Sequence, residues 1–183
     1  EKGTCRDRSV VGVAVLKFFL GCFVAYLSWY VLYEFVLKPE TTLDEWVMNH
    51  MVEGAEWGLE AMGFHTGTFP QPVGYSNKVG VSGTPGVEIG APCDGLSLFA
   101  LFAIFIAFFP GPVRNKLWFV PLGIILLHGV NISRVISLTV IQSKYPEWLA
   151  FNHDYTFTVL VYGVVFGLWV VWATYLASFT KAK

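Results

Sequence analysis

Three side chains in this 183-residue sequence have types that could together break and remake an acyl bond: Cys93, Arg134 and His153. A thiolate is a strong nucleophile, and a cysteine at a helix start or beside a cation has its acidity raised. An imidazole moves protons near neutral pH. A fixed guanidinium stabilises the oxyanion that forms when a carbonyl is attacked. Cys93 stands in Pro92-Cys-Asp-Gly95, ahead of the apolar run from Leu96 to Phe109. Arg134 lies inside another apolar run, with Asn131 one helical turn before it and His128 one turn before that. Charge within a membrane costs on insertion scales about 2.5–3.5 kcal/mol, so such an arginine reads as functional unless it ties helices together. His153 stands in Phe151-Asn-His-Asp-Tyr155, just before the last apolar run. Cys5 and Cys22 read as small hydrophobes, and neither is spaced to form a disulfide with Cys93.

The elements that would position these groups follow from hydropathy. Charged residues make up only 14% of the chain, against about 25% in soluble domains, and mean hydropathy is +0.57. A net charge of −1 offers no basic face, which excludes nucleic acid as a partner. The expectation is an all-α polytopic membrane protein forming a single domain, 1–183. About four transmembrane helices are expected, over residues 10–37, 95–109, 117–141 and 156–179, with membrane lipids around them. The first run is too long for a cleavable signal peptide. Lys2, Arg6, Arg8, Arg114, Lys116, Lys181 and Lys183 fall on one side of this topology, while the other side holds Lys38, Lys78 and Lys144 among many acids. The positive-inside rule then makes the termini cytoplasmic and turns loops 38–94 and 142–155 outward from the cell membrane.

In the outer loop, Thr42-Leu-Asp-Glu45 reads as a capping box opening an amphipathic helix over 42–62. That helix would either lie in the membrane interface or pack on the other helices. Leu43, Trp46, Val47, His50, Met51, Gly54, Leu59 and Met62 form its apolar side. Farther on, Lys78–Val81 and Gly86–Ile89 flank a Ser-Gly-Thr-Pro turn and predict a small hairpin-like loop. Under this topology Cys93, Arg134 and His153 all lie toward the outer face.

Three motifs in this order resemble those of the exosortase/archaeosortase family of membrane cysteine transpeptidases and proteases. They are Cys93-x-Gly95 at a span start, Asn131-x-x-Arg134 within a span, and His153-Asp154 before the last span. The resemblance covers roughly residues 92–172 and departs at Asp94, where the family often has a small residue. It implies an enzyme that cleaves exported proteins at a C-terminal transmembrane sorting signal through a thioester on Cys93, then passes the new carboxyl end to an acceptor: water, lipid, sugar or amine. His153 would serve as acid and base, and Arg134 would hold the oxyanion. Asn131 would orient Arg134, and Asp154 would orient His153, with Asp94 beside the thiol. No cofactor is implied. A metal site from Cys93, His153, His50 and His65 fits no zinc spacing.

Two other readings use the same residues differently. One is an intramembrane aspartic protease with Asp94 and Asp154 as a dyad, which leaves Cys93 and Arg134 without roles. The other is a small transporter or membrane assembly subunit in which Glu34, His128 and Arg134 line a pathway. A transporter needs its polar site near the midplane, whereas these candidates crowd toward one face.

Overall fold

The computed structural model describes residues 2–69, 76–90 and 93–177. Pro92, Lys181 and Lys183 fall outside the described residues. Helix α1 runs Lys2–Leu32, widens into a π-turn over Tyr33–Leu37 and finishes with Lys38–Glu40. Helix α2, Leu43–Ala61, follows almost at once. Strands β1, Ser76–Val79, and β2, Val87–Gly90, pair antiparallel with Lys78 opposite Glu88, β1 beginning two residues before and β2 one residue after the expected segments. Helix α3 is Leu96–Phe108 and helix α4 is Val113–Lys144. The last helix, α5, runs Pro146–Leu176 and holds π-turns at Asn152–Thr156 and Trp172–Leu176.

Three helical segments are long and apolar enough to cross a membrane: Gly12–Glu40, Val113–Lys144 and Pro146–Leu176. Their outward faces carry large apolar groups such as Leu16, Phe23, Ile125, Val159 and Phe166. Such a belt is unfavourable in water and suited to lipid. The 13-residue α3 is only about 20 Å long, against a hydrocarbon core of about 30 Å. It sits among α1, α4 and α5. Phe105 stacks on Trp169 of α5 at 4.2 Å and meets Phe18 of α1 edge-on at 5.4 Å, while Phe102 packs against Phe119 of α4.

Two apolar cores result. The inner one gathers Phe99, Phe102, Ile106, Phe119, Leu127, Val165 and Trp172. The outer one gathers Val47, Met48, Met51, Val52, Ala55 and Leu59 of α2 with Val79, Ile89 and Val135. Leu96, the first residue of α3, touches both. Of the two placements open to α2, packing prevails: Gly54 and Gly58 let it approach Ile132 and Ile136 of α4 closely. Its buried stripe lies one position round from the expected one, so Trp46 and Met62 face outward. The anticipated capping box does not form. Thr42 has φ −93° and ψ 25° rather than the extended geometry of a cap, and its side chain makes no capping bond. The hairpin is tied to α4 by Gln142, whose Nε2 donates to the Gly86 carbonyl at 2.8 Å, and to α2 by Asn77, which donates to Asn49 at 2.7 Å.

The closeness of α3 to α4 yields a sign test. Replacing a helical glycine with alanine ordinarily stabilises by about 1 kcal/mol. At Gly129 nothing lies within 4 Å of the new methyl, so Gly129→Ala should raise the melting temperature in detergent. At Gly123 the methyl would lie 2.3 Å from the ring of Phe102, a wholly buried residue. Gly123→Ala should therefore lower stability by about 1–3 kcal/mol, the usual cost of overpacking.

Candidate active site

Cys93 is half-buried in a short turn that ends at Gly95, the residue capping α3. Gly95 has φ +88°, a left-handed conformation that costs other residues about 1–2 kcal/mol. It also lacks room for a side chain, because a Cβ there would stand 2.3 Å from Asn131 Nδ2. That amide donates to the Asp94 carbonyl at 3.3 Å, so the buried Asn131 holds the cysteine turn and not, as the motif implied, Arg134. Asn131 reaches the turn because it faces α3 at the level where that helix begins.

The side chain of Asp94 turns away into a second buried group. Its Oδ1 accepts the Leu96 N–H at 2.8 Å, an Asx-type turn that starts α3. Its Oδ2 is buried without a hydrogen-bond partner among the described residues, beside the carboxyl group of Asp44 of α2. Asp44 is 1% exposed and Asp94 2%. The hydroxyl of Tyr33, from the π-turn of α1, donates to Asp44 Oδ1. Burial, then the neighbouring carboxyl of Asp44, pushes the Asp94 carboxyl up to about 8.

His153 stands in the π-turn of α5. Its Nε2 lies 3.8 Å from Cys93 Sγ, and its Nδ1 lies 2.8 Å from Asp154 Oδ1. Adjacent side chains on an α-helix diverge; the wider π-turn shortens the angular step between them and lets sequence neighbours meet. With Nδ1–H donating to Asp154, Nε2 is left facing the sulfur. Arg134 lines the cavity beside Cys93 and His153, a space of about 320 Å³ walled also by Tyr26 of α1 and Val161 and Tyr162 of α5. Among the described residues Arg134 makes no hydrogen bond or ion pair.

The structure thus gathers Cys93, Arg134 and His153 around one cavity, with Asp154 behind the imidazole. It does not join Asp94 to Asp154: the first is buried against Asp44, the second 64% exposed on His153. Among the described residues no three histidine, cysteine or acidic side chains converge as metal ligands would. His128 lies edge-on to Phe99 and Glu34 pairs with Lys38 at 2.8 Å.

The family model for transmembrane exosortases matches residues 9–175. The chain belongs to the transmembrane exosortase family. Neither a curated protein nor a solved structure matches it. Exosortases are in general membrane cysteine proteases or transpeptidases, and the matched stretch contains every residue of the cavity.

Sequence reasoning missed Asp44 and Tyr33. For Asp44 a signal existed: it lies on the same helical face as Val47, Met48 and Met51, so an acid heads an otherwise apolar stripe. Gly95 is subject to two separate restraints, and both can be measured. Gly95→Ala should lower stability by more than about 2 kcal/mol, since left-handed strain and the clash with Asn131 add. In a double-mutant cycle with Asn131→Ala, the pair should cost less than the sum of the single changes, because the clash is then relieved and only the strain persists.

Proposed function

We propose that this exosortase-family protein is a cysteine transpeptidase of the cell membrane, acting on exported proteins that carry a C-terminal transmembrane sorting signal. The observation that carries the reading is the 3.8 Å approach of Cys93 Sγ to His153 Nε2 beside Arg134, which has no hydrogen bond or ion pair among the described residues. A sulfur–imidazole contact of this length is that of a nucleophile and its base before substrate tightens the site.

The Cys93 thiol gives its proton to His153, and the thiolate attacks the scissile carbonyl. A C–S bond forms and the carbonyl electrons move onto oxygen, where the Arg134 guanidinium balances the charge. Collapse of the intermediate breaks the C–N bond. The leaving amine takes the proton from His153, and the thioester remains. His153 then removes a proton from the acceptor, which attacks the thioester and restores the thiol. Asp154 keeps the imidazole oriented and stabilises its charged form, as carboxylates do behind catalytic histidines.

The substrate helix would enter from the lipid between α1 and α5. The cavity that Cys93 lines is walled in part by the apolar side chains of Leu98, Leu101 and Val161, which suit such a helix. A short α3 sets the reacting groups below the surface of the membrane, where a peptide bond at the edge of a transmembrane segment would come to rest. The distribution of Lys and Arg argues that this edge faces outward, with the termini in the cytoplasm.

Co-expression with a protein bearing such a signal tests the reading. Cys93→Ala should abolish processing while leaving insertion intact; full activity in that variant would end the proposal. His153→Ala should slow processing by about 10²–10⁴-fold, the usual worth of a general acid–base. Arg134→Ala should cost about 10²–10³-fold, as loss of an oxyanion donor does. Hydroxylamine should release a cleaved, thioester-linked product from the wild-type protein and none from Cys93→Ala.

A further inference from the structure

The buried acids beside Cys93 have an unusual pattern of partners. Asp44 Oδ1 accepts from Tyr33 and Asp94 Oδ1 accepts from Leu96 N–H. The second oxygen of each carboxyl is buried without a donor among the described residues, although the two groups are neighbours. Two ionised carboxylates could not rest so, since neither has a proton to offer the other and both have lost water. One proton shared between the two carboxyls would satisfy both at once, with Asp94 as donor and Asp44 accepting from it as well as from Tyr33. The pair joins the first turn of α2 to the residue next to the cysteine.

We propose that Asp44 is a positioning residue for Cys93, holding the cysteine turn against α2 through a single proton shared with Asp94. The claim that this position matters to the chemistry rests on the proposed role of Cys93. Asp44 does not touch the thiol; it fixes the backbone from which the thiol projects. It gives the departure at Asp94 a reason as well, because a small residue there would leave Asp44 Oδ2 buried with no donor, Tyr33 serving only Oδ1.

The titratable groups facing the pair are few. The end of α1 contributes Tyr33 and Glu34, the latter neutralised by Lys38. The turn contributes Cys93, and from α4 come the uncharged Asn131 and, at the cavity, Arg134. The Asp94 carboxyl is raised from 3.8 to about 8, first by burial and then by Asp44. A raised acid binds its proton more tightly in the folded state. The stability of the lock is therefore whole below the ordinary aspartate range and is lost as pH rises through about 8.

The first test needs no enzyme activity. Infrared difference spectra of the purified full chain should contain the carbonyl stretch of a protonated carboxylic acid at pH 7. It should fade as pH is raised through about 8 and be absent from Asp94→Asn and Asp44→Asn. The second follows alkylation of Cys93 by N-ethylmaleimide in a chain with Cys5→Ser and Cys22→Ser. Asp44→Asn, whose amide can donate to an ionised Asp94, should stay close to the parent rate at pH 7 and lose the break in the rate near pH 8. Asp44→Ala should shift the rate about tenfold, as expected when a hydrogen bond to a charged group is removed. Processing of a signal-bearing substrate should follow the same order, kept in Asp44→Asn and lost in Asp44→Ala. No acid carbonyl band at pH 7, or an Asp44→Ala protein matching the parent in both alkylation and processing, would overturn the inference. The catalytic reading fails separately, through an active Cys93→Ala, and that result would leave the infrared band untouched.

Discussion

The amide of Asn131 donating to the Asp94 carbonyl is the bond on which the rest of the site depends. Helix α3 begins one residue after that carbonyl's glycine neighbour, so fixing the turn fixes both the cysteine before it and the helix behind it. Within a low-dielectric interior a lost bond of this kind leaves a buried donor and a buried carbonyl unpaired, each costing about 1–3 kcal/mol. Gly95 is the steric counterpart: only a residue without Cβ leaves room for the amide to reach the carbonyl. The Cys-x-Gly spacing thereby acquires a mechanical meaning, with the glycine serving Asn131 on another helix.

Unequal helix lengths do the coarser positioning. The 32 residues of α4 reach well past the 13 of α3, and the overhang supplies the surface on which α2 and the hairpin pack. Polar groups would be expensive at the exposed end of a short helix in lipid. Here they are roofed by α2 and enclosed by the ends of α1 and α5. The roof is apolar toward α4 and acidic only at its head, where Asp44 meets Tyr33 and Asp94.

His153 and Tyr33 both project from π-turns. Each turn inserts one extra residue into an otherwise regular helix, so a side chain that would have pointed elsewhere is aimed at the cavity or its acid pair. Arg134 is reached by the plainer route of helical periodicity, one turn after Asn131 on the same face of α4. One regular helix, one glycine turn and one π-turn therefore deliver three reactive groups from three distant parts of the chain to one space of about 320 Å³.

Much of this was legible in the sequence. Long apolar runs dictate membrane helices because backbone polar groups in lipid must be satisfied within the segment, and the Gly-Thr-Pro turn dictated the hairpin. Arginine and histidine were legible because each is a poor choice for a lipid-facing position, and the cysteine because it stood with Asp94 and Gly95 at a helix start. The sequence could not say that α2 would lie on α4, since an amphipathic stripe suits a membrane interface and a protein groove equally. Nor could it show that Asn131 serves the turn, that Asp94 turns toward Asp44 instead of Asp154, or that Tyr33 closes the group. Those are contacts between residues 11 to 50 positions apart in the chain. Periodicity reports which face of a helix is apolar; only packing decides what the polar atoms on that face will meet.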